Sequence, residues 1–89
     1  MVTKKEFLTH MEELYGNECC EELYKSFKSF IKIKDKGQIR ELREMTKMTP
    51  RQRLAYRHAL ASNGKEYTPS QIDQYISMIE FALEHIDHN

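Results

Sequence analysis

Residues 68–87 read TPSQIDQYISMIEFALEHID, and this stretch sets the fold class. Thr68 places a hydroxyl at a helix cap, and Pro69 is preset for the first helical position. Gln71 stands where its side chain can reach back to the cap. Beyond them Ile72, Tyr75, Ile76, Ile79, Ala82, Leu83 and Ile86 recur at helical spacing on one face. Asp73, Glu80, Glu84 and Asp87 share another. The pattern predicts a helix over about 69–87 that packs its Ile/Leu face centrally, with Ile79 and Leu83 deeply buried. Met78 and Phe81 fall off the main apolar arc.

The same local chemistry occurs once more upstream. Thr49-Pro50-Arg51-Gln52 matches Thr68-Pro69-Ser70-Gln71, and each start is followed by a tyrosine, Tyr56 or Tyr75, at the same offset. One shared cap does not establish an internal repeat, so the reading is two helices begun alike. The first of them ends at Asn63-Gly64, and Tyr67 is placed to staple onto Ile72.

Further back, Thr3-Lys4-Lys5-Glu6 fits a capping box, with Val2 and Phe7 at the positions of a hydrophobic staple. A first helix begins there that buries Phe7, Met11 and Leu14 and stops at Gly16. With Asn17 as cap, a second helix is predicted over roughly 18–33, its apolar face made of Cys20, Leu23, Tyr24, Phe27, Phe30 and Ile31. Ile33 lies off that face. Asp35-Lys36-Gly37 reads as a turn. A third helix over about 38–47 carries Ile39, Leu42, Met45 and Met48 on a broad, drifting apolar side. No segment alternates like a strand with hairpin signals. The expectation is a single domain over 1–89, all-α, a compact bundle of four to five short helices.

Composition narrows the function classes. The chain is 39% hydrophobic and 31% charged, which suits a folded domain rather than a disordered one. No apolar run approaches the roughly 20 residues of a membrane span, and the N-terminus lacks a secretory core. Cys19 and Cys20 are neighbours, and a bridge between them needs a strained ring. Reduced thiols, one buried and one at a boundary, and a cytoplasmic address are expected.

Enzymatic chemistry has little support. There is no Gly-rich phosphate loop, no nucleophile elbow and no ligand set at metal spacing. His85-x-x-His88 supplies two imidazoles where a structural zinc site takes four ligands. His10 and His58 stand alone, and the pairs Glu12/Glu13 and Glu21/Glu22 read as solvated faces. No catalytic residue, metal or cofactor is predicted.

Charge is the sharper clue. The formal net charge is +0, yet nine basic residues against three acids fall between Lys32 and Arg57. The two flanks are net acidic, and fields act on partners over about 10 Å, so the zero total hides a basic middle. Arg40, Arg43 and Lys47 form a stripe on the third helix, and Arg51, Arg53 and Arg57 continue it on the fourth.

These six are the predicted partner-binding residues of a small non-enzymatic protein acting by protein–protein interaction through its helix 3–4 face. A regulator, an inhibitor or an assembly subunit would fit. Basic and acidic segments in one chain also make self-association a candidate, since opposite patches orient encounter. Met78, Phe81 and Ile33 are expected to form an apolar patch near that face.

The alternative is a DNA- or RNA-binding regulator. It would use a helix-turn-helix-like 38–62 segment, with Arg51, Gln52 and Arg53 in the first turn of a recognition helix. A sequence pI of 6.9 and an acidic last helix weigh against it.

Overall fold

Four of the five α-helix starts in the computed structural model, which describes residues 2–86, are local side-chain solutions to unpaired backbone N–H groups. Thr49 Oγ1 accepts from the Gln52 amide at 3.2 Å, and Gln52 Oε1 accepts from the Thr49 amide at 2.8 Å. Thr68 and Gln71 repeat the box at 3.1 and 2.8 Å. Thr3 caps through the Glu6 amide, but Glu6 meets the Thr3 hydroxyl, so only half of that box forms. Asp35, expected in a turn, is an N-cap that accepts from Gly37 N–H at 2.8 Å.

The resulting elements are α1 (Lys4–Tyr15), a 3-10 turn (Gly16–Glu18), α2 (Leu23–Phe30), α3 (Lys36–Thr46), α4 (Pro50–Ser62) and α5 (Pro69–His85). The all-α expectation holds: five helices and no strand among the described residues. None of the helices is long and apolar enough to cross a membrane. Glycine ends two of them. Gly16 stops α1 at φ 59°, and Gly64 terminates α4 at φ 80°. After α4 the amides of Gly64 and Lys65 return to the carbonyls of Ala61 and Leu60, a Schellman closure.

The second helix is shorter than expected, and a side chain from α5 explains why. Gln74 is 2% exposed. Its Nε2 donates to the Glu18 carbonyl at 2.8 Å, and its Oε1 accepts from the Cys20 amide at 2.9 Å. Those backbone groups are thereby satisfied outside a helix, and Cys19 stays extended at ψ 133°. The predicted cap at Asn17 is not used. At the other end the chain leaves α2 through a turn, with the Ile33 amide on the Phe30 carbonyl.

The tertiary plan is an axle with four supports. α5 packs against α1, α2, α3 and α4; among the other α-helices only α1 and α2 also touch. Phe7, Met11, Phe27, Leu42, Met78, Ile79 and Ala82 form the core with Val2. Phe27 joins Phe7 and Phe81 at ring distances of 4.9 and 5.2 Å. Burying one such ring stabilises by about 2–3 kcal/mol.

Surrounding α5 on several sides changes which of its residues are covered. Ile79 is fully buried as expected, but Leu83 is only half-buried. Met78 is fully buried, and Phe81 and Ile33 pack on the core, so the expected apolar patch of these three does not exist. Leu14 departs the other way. It keeps the phase of Phe7 and Met11 yet is 56% exposed, because the contacts of the last turn of α1 are made by Tyr15 and leave Leu14 uncovered.

Candidate functional site

The middle of the chain is where fold and exposure part company. The segment PRQRLAYRHALAS has a complete capping box and good helix formers, so α4 forms. It has no large apolar series, however. Three and four residues after Leu54 come Arg57 and His58, so no stripe exists to drive burial. Accordingly α4 buries no residue, and it touches α5 alone among the helices. Leu54 is 46% exposed.

Part of what holds α4 down is polar. Arg53 Nη1 donates to Asp73 Oδ1 on α5 at 2.9 Å. With side chains 30% and 45% exposed, that pair contributes at most about 1 kcal/mol. Arg53 Nε is enclosed without a partner. Tyr56, Arg57 and Leu60 are half-buried along the same seam.

Two grooves flank this loosely seated helix. One, of about 300 Å³, runs between Pro50, Leu54 and Arg57 on α4 and Pro69 and Asp73 on α5. The other, of about 440 Å³, opens between α2 and α4 over α5 and is lined by Leu23, Tyr56, Leu60, Tyr67, Ile72 and Tyr75. Burial pushes the Tyr75 phenol above its ordinary value, with Tyr56 and Tyr67 adding to the shift. Cys20 borders this groove too. Its neighbour Cys19 has a thiol pushed up by burial first and by Glu12, Cys20 and Glu21 after it, so it holds its proton.

The six predicted residues are divided by this arrangement. Arg40, Arg43 and Arg51 are exposed, and Arg57 is half-buried beside the smaller groove. None of the four has a carboxylate within ion-pair distance among the described residues. Lys47 is exposed and lies 4.0 Å from Glu44. Arg53 is occupied by Asp73. Only Arg53 and Arg57 share a groove.

The helix-turn-helix expected over 38–62 is not assembled. Such a motif packs its two helices on each other, whereas α3 and α4 each lean on α5 without mutual contact.

Sequence reasoning missed Leu54, Asp73 and the tyrosine groove. Leu54 did carry a signal, a leucine amid arginines with no apolar partner one turn on. Asp73 carried none beyond its charge.

Among the described residues, no group of three His, Cys, Asp or Glu converges as a metal site would require. His88, half of the terminal histidine pair, lies outside the described residues. No family model matches this sequence, and no curated protein or solved structure is significantly similar to it.

Proposed function

We propose that this chain is a small non-enzymatic binding protein that docks another protein through the exposed face of α4. One observation carries the reading: a fully capped helix that buries nothing, with a half-exposed leucine on the wall of a groove. Burying Leu54 and the walls beside it supplies affinity, because apolar area removed from water yields about 25 cal/mol per Å². Arg51 and Arg57 rim that patch. Arg40 and Arg43 on α3, with Lys47 at its C-cap, extend the positive field, which steers encounter with an acidic surface. Arg53 serves this face indirectly, by seating α4 on Asp73. The two free, adjacent thiols suit a cytoplasmic address.

Affinity capture with the tagged chain tests the reading against Leu54→Asp, whose fold is checked by circular dichroism. Every bound protein counts, an untagged copy of the chain included. The variant is expected to lose the specific partner; an identical set of captured proteins overturns the proposal. Titration with random duplex DNA across salt is the control. Tight binding that weakens steeply with salt and with Arg51→Ala/Arg53→Ala would replace a protein partner with nucleic acid.

A further inference from the structure

The two most exposed large apolar side chains are both leucines, and they differ in the charge around them. Leu54 on α4 sits among Arg51, Arg53 and Arg57, and no acid occurs anywhere in that helix. Leu14 on the last turn of α1 is flanked along the chain by the exposed Glu12, Glu13 and Glu18. Residues 10–22 contain five acids and no lysine or arginine. Apart from Asp73, which is already engaged by Arg53, the surroundings of Leu54 are basic and those of Leu14 acidic.

The patches are also held to one place in the fold. Tyr15, next to Leu14, donates its hydroxyl to the Asp73 carbonyl at 3.0 Å. Arg53, next to Leu54, bonds the Asp73 carboxylate at 2.9 Å. The residue beside each leucine is therefore anchored at Asp73 in the first half of α5, while α1 and α4 do not touch each other. No ion pair joins the two rims within the chain among the described residues. Arg53 is held by Asp73, whereas Arg51 and Arg57 on one side and Glu12 and Glu13 on the other have no ion-pair partner among the described residues and are left for a surface outside the chain.

We infer that the protein docked on α4 is a second copy of this chain, paired about a two-fold axis near Asp73 so that the acidic Leu14 patch of each copy covers the basic Leu54 patch of the other. This rests on the α4 docking reading and names its occupant. An unrelated acidic partner satisfies the basic patch and leaves the Leu14 patch bare. A second copy satisfies both, twice, and an isologous contact of this kind closes as a dimer instead of growing into a filament. With a net charge of +0 two copies carry no overall repulsion, so the local rims dominate their approach.

Sedimentation equilibrium of the full chain, with a charge swap, is the test. The wild type is expected to dimerise at low salt and to weaken as salt rises. Arg51→Glu/Arg57→Glu makes both patches acidic, and Glu12→Lys/Glu13→Lys makes both basic. Each variant puts like charges face to face and is expected to weaken self-association by roughly a hundredfold or more. Mixed one to one, the two variants are expected to pair again, which a merely structural defect in either would prevent. Circular dichroism confirms that both remain helical. A monomeric wild type at its highest soluble concentration overturns the inference, as does a dimer indifferent to both reversals or a mixture that fails to pair. A monomer whose capture of a different protein still depends on Leu54 leaves α4 docking intact and removes only the self-pairing. Capture indifferent to Leu54→Asp removes the docking reading itself.

Discussion

α4 and α5 begin with the same four-residue logic, a Thr-Pro start closed by a glutamine, and end in opposite environments. α5 buries Ile72, Gln74, Ile76, Met78, Ile79 and Ala82; α4 buries nothing. The difference lies in the residues after the cap. α5 continues with branched apolar residues at every turn, so four helices gain by packing on it. α4 continues with arginines, alanines and few large apolar residues, so a partly polar seam holds it. Local capping makes a helix, and the apolar series decides whether a helix becomes core or surface.

The severest challenge to this contrast is one carboxylate placed in each helix. Ile79→Asp puts a charge into a fully enclosed site and is expected to cost more than about 4 kcal/mol, enough to abolish cooperative unfolding in urea. Leu54→Asp is expected to move stability by no more than about 0.5 kcal/mol. Equal losses would mean that α4 is as much a part of the core as α5.

A smaller effect is expected from the polar clamp on α5. Gln74→Ala removes the partners of the Glu18 carbonyl and the Cys20 amide, and the expected loss is about 1–3 kcal/mol. Amide exchange at Cys20 should accelerate with it. A Cys20 amide that stays as protected as before would show that the connector is held by something else.

The twin caps permit the cleanest contrast. Thr68→Ala is expected to cost about 1 kcal/mol of global stability, because α5 unfolds only with the whole molecule. Thr49→Ala removes the same bond, but its loss should surface as faster amide exchange confined to α4. Matching global losses from both variants would contradict the peripheral seating of α4.

The least of these effects concerns Tyr75 of α5, in the groove that opens between α2 and α4. Burial favours its protonated phenol, so the folded-state value lies above the ordinary 10.0. Its contribution is fully present below about pH 10 and is lost as pH rises through the raised folded value. Tyr75→Phe should therefore lose stability less steeply than the wild type in that alkaline range. Parallel alkaline curves would indicate that the groove leaves Tyr75 open to water.

Much of the architecture is legible in the chain because capping chemistry is short-range. Thr49, Thr68, Gly16 and Asn63-Gly64 mark helix ends close to where they occur, and the period of α5 foretells its central place. Three boundaries differ most from expectation, the early end of α2 at Phe30 among them. Asp35 caps α3 where a turn was expected, and the start of α2 is set by Gln74, more than fifty residues away in the chain.

The site is less legible. Arg40, Arg43 and Arg51 are exposed as a basic surface requires, but Arg53 is spent on Asp73, and no spacing rule pairs those two residues. Leu14 has the phase of a core residue and lacks a neighbour to cover it.

The order of residues along the chain was enough to specify the helical class, the caps, the axle and the sorting of charge into a basic middle with acidic flanks. Each of these arises from residues within a turn or two of one another. Packing in three dimensions was needed to set α3 and α4 apart, to draw Met78 and Phe81 into the core, and to leave Leu14 and Leu54 uncovered. Burial depends on which helices lie alongside, and that is settled by the competition of every apolar face for α5.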